Sequence, residues 1–171
     1  MTTYLGESFV GEGADAAHIN TVLGHRDGPV GAAWAGALAS PSAGHVPFVA
    51  VVAPGIAVKP MTLFVSKAAI AGETHAALTW GAAQAGVAGG VCDAVADGTI
   101  PAEALDELVL IAAVWVNPAA ADADAVYRNN REATYRALVN GRTNRPSPDE
   151  IAAHAARPTN PFYTAPEVPG P

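Results

Sequence analysis

The order of apolar runs predicts an α+β domain, one mixed sheet with helices packed on one face. Three observations carry this expectation. Strand-like runs come in pairs before and after a helical stretch, in the order β-β-α-β-β-α-β-α. Two of the strand runs alternate in polarity, while the later ones are apolar throughout, as covered strands are. Half the residues are hydrophobic and only 15% are charged, which excludes a disordered chain or a coiled coil.

The elements follow in chain order. Tyr4 to Val10 and Ala16 to Gly24 alternate, with one face wetter than the other. Gly31 to Ser40 reads as a helix. Pro47 to Ala53 and Met61 to Ile70 read as covered strands. Glu73 to Ala96 reads as one long helix, although Gly81, Gly86, Gly89 and Gly90 lie inside it. Each glycine costs about 1 kcal/mol relative to alanine in a helix interior. Such a helix needs close packing on the sheet or on another subunit; the same residues also fit two shorter helices broken near Gly89-Gly90. Pro101 to Leu105 suits one helical turn, and Glu107 to Val116 a further covered strand. Asp122 to Asn140 reads as a helix with Asp122 as its cap and Gly141 as its stop.

The 171 residues suit one domain. We read residues 1–141 as the folded unit and residues 142–171 as a proline-rich extended tail, with a helical turn near Asp149 to Ala156. Phe162 and Tyr163 in the tail are suited to docking on a neighbouring surface. The net charge of −7 argues against nucleic acid as a partner. The single Cys92 excludes an internal disulfide framework and fits a reducing compartment. The start of the chain lacks the marks of a signal peptide, and no apolar run is long enough to span a bilayer. A cytoplasmic protein that engages no membrane is the expectation.

Four polar residues stand out. His18 and Asn20 share a strand face with Val22, opposite Ala17, Ile19, Thr21 and Leu23. A histidine there is suited to proton donation near neutral pH, or else is a plain surface or interface residue. Lys67 sits in an apolar strand run, as an anion-binding or ligand-polarising group or as a strand-end lysine reaching water. Gln84 is the polar member of a helical stripe with Trp80, Val87, Val91 and Val95, and its amide needs partners, either backbone atoms or a bound heterocycle. No phosphate loop, dinucleotide fingerprint, nucleophile elbow or metal-ligand spacing is present, so no metal is expected.

Taken in order, several short segments resemble the formaldehyde-activating enzyme family. They are Gly6-Glu7, Val10-Gly11-Glu12-Gly13, Ala17-His18-Ile19, Asp27-Gly28-Pro29-Val30-Gly31, Ala43-Gly44-His45 and Ala53-Pro54. Collinear with them run Val58-Lys59-Pro60, Ser66-Lys67, Gly81-Ala82-Ala83-Gln84, the stretch from Asp93 to Pro101, and Glu132-Ala133-Thr134. The resemblance implies a fold like that of ribosomal protein S5 domain 2. It also implies a homopentamer with its site between subunits, and condensation of formaldehyde with tetrahydromethanopterin as co-substrate. His18 then matches the proton donor, and Asn20, Val49, Lys67, Ala69 and Gln84 fall at substrate-binding positions. The alternative is a non-catalytic formaldehyde- or pterin-binding homologue.

This chain departs from the family pattern in ways that bear on the chemistry. Asn20 stands where the family reads aspartate, Ala69 where it has threonine, and Val49 where it has leucine. Asn20 removes a carboxylate that would favour a protonated His18.

Overall fold

A computed structural model describes residues 2–166. Met1 and residues 167–171, the end of the proline-rich stretch with Pro169 and Pro171, lie outside the described residues. The architecture is α+β with a mixed sheet. Strand β1 (Tyr4–Val10) pairs antiparallel with β2 (Ala17–His25), bringing Phe9 opposite His18 and Glu7 opposite Asn20. Helix α1 (Pro29–Ala39) follows, with Pro29 in its first turn. The expected strand Pro47 to Ala53 divides into β3 (Phe48–Val49) and β4 (Val51–Ala53), and β4 forms a small hairpin with β5 (Ile56–Ala57). The division falls at Ala50, whose N–H donates to Thr62 O at 2.9 Å while its own carbonyl accepts from Val58 N at 3.1 Å.

Strand β6 (Met61–Ser66) lies parallel to β7 (Leu108–Trp115), and the helical run between them makes the crossover. That run is continuous but not uniform. Helix α2 (Glu73–Ala77) passes through a π-helical stretch, Leu78–Ala83, into α3 (Gln84–Ala96). The wider π turn shifts the helix register and leaves Trp80 53% exposed, outside the inward stripe that Val87 and Val91 keep. There is no break at Gly89-Gly90. Gly86 and Gly90 instead face helix α4 (Ala123–Arg142): a Cβ on Gly90 would lie 2.4 Å from the Arg131 carbonyl oxygen. The glycines let two backbones meet within the one chain.

The five-stranded sheet has the order β1-β2-β7-β6-β3. The core fills the space between one sheet face and helices α3 and α4. Ile19, Leu23, Phe64, Leu110 and Val114 contribute from the sheet, and Val87, Val91, Ala133 and Leu138 from the helices. Burying a side chain such as Ile19 completely contributes about 1.5–3 kcal/mol. The helices do not all share that face. Gly24 shares a side with His18 and Asn20, and its missing Cβ is replaced by Val30 of α1, with Cγ2 2.6 Å from the position a Cβ would take. Helix α1 therefore covers one end of the opposite face, a departure from the expected one-sided packing. It is apolar, carries no charged residue, and buries only Val30 and Gly31.

Helix α4 starts where expected. The Asp122 carboxylate accepts from Ala125 N at 3.0 Å. It does not stop at Gly141, which packs against the Leu5–Gly6 backbone; the chain leaves the helix through Asn144, at φ 55°. The following segment carries regular structure, including the helical turn expected near Asp149 to Ala156. Helix α5 (Pro148–Ala155) opens on a capping box between Ser147 and Glu150, and β8 (Thr159–Asn160) pairs with β9 (Tyr163–Thr164). Arg145 grips the Glu150 carboxylate and, with the Ser147 N–H, lowers its pKa to about 2. Among the described residues no helix is long and apolar enough to cross a membrane.

Candidate active site

The alternation of β2 sends Ala17, Ile19, Thr21 and Leu23 into the core and leaves His18, Asn20 and Val22 half-buried on the other face. The hairpin register then sets the neighbours: Glu7 and Phe9 come from β1 and Trp115 from β7, opposite His18. Lys67 follows the last residue of β6, anchored by its N–H to Val114 O at 2.8 Å, and its side chain reaches across the same face. These side chains floor a hollow of about 700 Å³. Its wall is the β8–β9 hairpin, where the Phe162 ring meets Trp115 edge-on at 5.7 Å between centroids. Phe162 and Tyr163 are both exposed in the single chain.

The polar groups form a line. Glu7 Oε1 lies 3.0 Å from His18 Nε2, and Lys67 Nζ lies 3.3 Å from His18 Nδ1 and 2.7 Å from Asn20 Oδ1. A carboxylate only accepts, so these partners assign the proton to Nε2 and leave Nδ1 as acceptor from Lys67. Lys67 Nζ donates to Asn20, which turns its oxygen to Lys67 and its amide N–H₂ away. Burial, together with the Lys67 charge, holds His18 below the ordinary imidazole range against the opposing pull of Glu7. Burial likewise holds Lys67 below the ordinary lysine range, with Glu7 again opposing.

The structure thus brings His18, Asn20 and Lys67 together. It places the other three candidates elsewhere in the chain. Gln84 spends its amide on a backbone, its Oε1 accepting from Val51 N at 2.8 Å and its Nε2 donating to Val51 O at 3.2 Å. With Val49, Val46 and Trp80 it lines a second, mainly apolar hollow of about 440 Å³. Ala69 is exposed and lines neither hollow; it lies beside Gly44. Glu7, Phe9, Trp115 and Phe162 are site residues that sequence reasoning missed. The signal for Glu7 and Phe9 was present, since two antiparallel strands joined by a short turn put alternate residues of β1 beside His18.

Other titratable groups serve the fold. His75 is buried, with Nδ1 accepting from Ala71 N at 3.0 Å and Nε2 3.0 Å from Val116 O. Among the described residues no three His, Cys, Asp or Glu side chains gather as a metal site requires.

An imidazole between a carboxylate and an amine, beside aromatic rings on an open sheet face, is an arrangement suited to acid–base chemistry. Comparison with known proteins narrows that class. A family model described as formaldehyde-activating enzyme (Fae) matches residues 5–163, reaching through α5 into the site-walling hairpin. The chain belongs to this family. It is 41% identical over 162 residues to the 5,6,7,8-tetrahydromethanopterin hydro-lyase of Methanosarcina barkeri strain Fusaro, covering 95% of this chain and 91% of the relative. It is 40% identical over 157 residues to the bifunctional enzyme Fae/Hps of Methanothrix thermoacetophila, and 39% identical over 162 residues to that of Archaeoglobus fulgidus. The chain spans only 40% and 41% of those two longer proteins.

Proposed function

We propose that this protein condenses formaldehyde with tetrahydromethanopterin, or a related reduced pterin, giving the methylene-bridged pterin and water. The observation that carries the reading is the convergence of His18, Asn20 and Lys67 on one open sheet face in a member of this family. Formaldehyde adds to an amine unaided, but the carbinolamine loses hydroxide poorly. A proton from His18 converts that group to water, an effect typically worth about 10²–10⁴ in rate. Holding the second pterin nitrogen beside the resulting iminium makes ring closure effectively intramolecular.

The proposal extends to assembly. Val49 and Gln84 line a hollow separate from that of His18, so they join His18, Asn20 and Lys67 in one site only if a neighbouring subunit supplies the second half. A cytoplasmic homopentamer with a fold like ribosomal protein S5 domain 2 fits this. The largely exposed apolar helix α1, and exposed Val46, Val52, Ile56 and Trp80, supply surface for subunit contacts.

The test is methylene-pterin formation from formaldehyde, measured above the spontaneous rate, with tetrahydrofolate in parallel. The expected outcome is acceleration by the unaltered protein and loss of most of it in His18→Ala, with the oligomer intact. Acceleration that His18→Ala leaves untouched removes His18 as the acid. Pterin binding without acceleration makes the protein a binding homologue.

A further inference from the structure

We propose that Lys67 captures formaldehyde first, its side-chain amine forming an iminium that the acceptor amine then discharges. This rests on the formaldehyde reading above and gives Lys67 a covalent part in it. The geometry suits a neutral amine. Such an amine has two N–H bonds and one lone pair, and Lys67 has two acceptors in place, Asn20 Oδ1 at 2.7 Å and His18 Nδ1 at 3.3 Å. The lone pair is left for the hollow that Lys67 lines. Partial burial of the side chain favours the uncharged form, while Glu7, on the far side of His18, opposes it. Asn20 contributes directly: an aspartate there would place a full negative charge on the amine and hold it as ammonium, whereas the amide oxygen accepts a hydrogen bond without that charge.

The same neighbours balance the chemistry. The Nζ lone pair forms the C–N bond, and the carbonyl π pair moves to oxygen. The positively charged amine passes a proton to His18 Nδ1, and the alkoxide takes up a proton from solvent to give the carbinolamine. Imidazolium then forms against Glu7, which holds Nε2–H at 3.0 Å. His18 returns its proton to the hydroxyl as the C–O bond breaks, releasing water and leaving Nζ=CH₂⁺. An acceptor amine adds to that carbon and loses a proton to solvent. Lys67 leaves when its C–N bond breaks and Nζ is protonated, and the acceptor keeps the carbon. No oxidant or reductant enters. A histidine kept neutral at rest is thereby consistent with a histidine that acts as the acid, because it receives the proton during the reaction.

The chain has one other lysine, Lys59, paired with Asp106 at the surface, which serves as an internal control. The full-length protein is treated with carbon-13 formaldehyde and cyanoborohydride near neutral pH, and methylation is mapped by peptide mass spectrometry. Lys67 is expected to label about tenfold or more faster than Lys59, more slowly in His18→Ala, and several-fold more slowly in Asn20→Asp. Lys67→Arg, which keeps the charge and the hydrogen-bond donors, is expected to abolish pterin condensation along with the label. Labelling of Lys67 no faster than Lys59 overturns the proposal, as does full condensation by Lys67→Arg; in either case direct reaction on the pterin stands. Rapid labelling without condensation on either pterin supports capture and instead removes the pterin reading.

Discussion

His18 has its charge state decided by burial and two neighbours, whose effects can be separated. Burial and the Lys67 charge push its pKa down, and Glu7 pushes it up. An NMR titration of the His18 ring is therefore expected to give a midpoint below the ordinary value of about 6.5. Lys67→Met removes the repelling charge and should raise that midpoint. Glu7→Gln removes the attracting one and should lower it further. Opposite shifts would mean that the line Glu7–His18–Lys67 does not exist in solution. The sign carries over to stability. The unfolded chain binds this proton more readily than the folded one, so His18 lowers stability in acid, and that effect vanishes as pH rises through the folded midpoint to about 6.5.

At the scale of elements, glycine position decides the sign of a substitution. Gly90 of α3 faces backbone atoms of α4 that cannot yield, with the Arg131 carbonyl oxygen 2.4 Å from the added Cβ. Gly90→Ala should destabilise by about 1–3 kcal/mol, the usual range for overpacking. Gly36 of α1 meets nothing within 4 Å, so Gly36→Ala should stabilise by up to about 1 kcal/mol through helix propensity. Denaturant melts of the two variants check both, and a stabilising Gly90→Ala would refute the close α3–α4 contact. The same elements mark how far the sequence could be read. Alternation put His18 and Asn20 on one face and Ile19 and Leu23 in the core, and both assignments stand because a half-buried strand has only two sides. Asp122 was legible as a cap from its type and place. The π turn that exposes Trp80 was not, because side-chain spacing cannot report an extra residue in a helical turn. Nor was the side chosen by α1, since an apolar helix without a polar face carries no directional signal. The contact of Phe162 with Trp115 was not legible either, because it depends on a path that proline-rich sequence does not encode.

For the whole molecule the question is what covers the remaining apolar surface. Leu5, Val46, Val52, Ile56 and Trp80 are exposed in the single chain, and α1 adds a further uncharged face. The proposed homopentamer accounts for them, and light scattering at micromolar concentration should give about five times the chain mass. Trp80→Glu, which places a charge beside the Val49–Gln84 hollow, should lower that mass and reduce condensation in the same samples. A clean monomer for the unaltered protein would end the shared-site reading while leaving His18, Asn20 and Lys67 as a site within one chain.

Strand β2 interleaves two inheritances. Its buried residues carry the fold and the ones between them include those of the proposed reaction, each step along the chain crossing from one to the other. Point changes at position 20 can therefore drift between carboxylate and amide, and retune the chemistry, without passing through the core. An inserted residue has no such freedom. It would exchange the two sets at a stroke, sending His18 or Asn20 inward and Ile19 out. Lineages descended from a shared ancestor should thus show variety of residue at alternate places in this strand and strict constancy of its length.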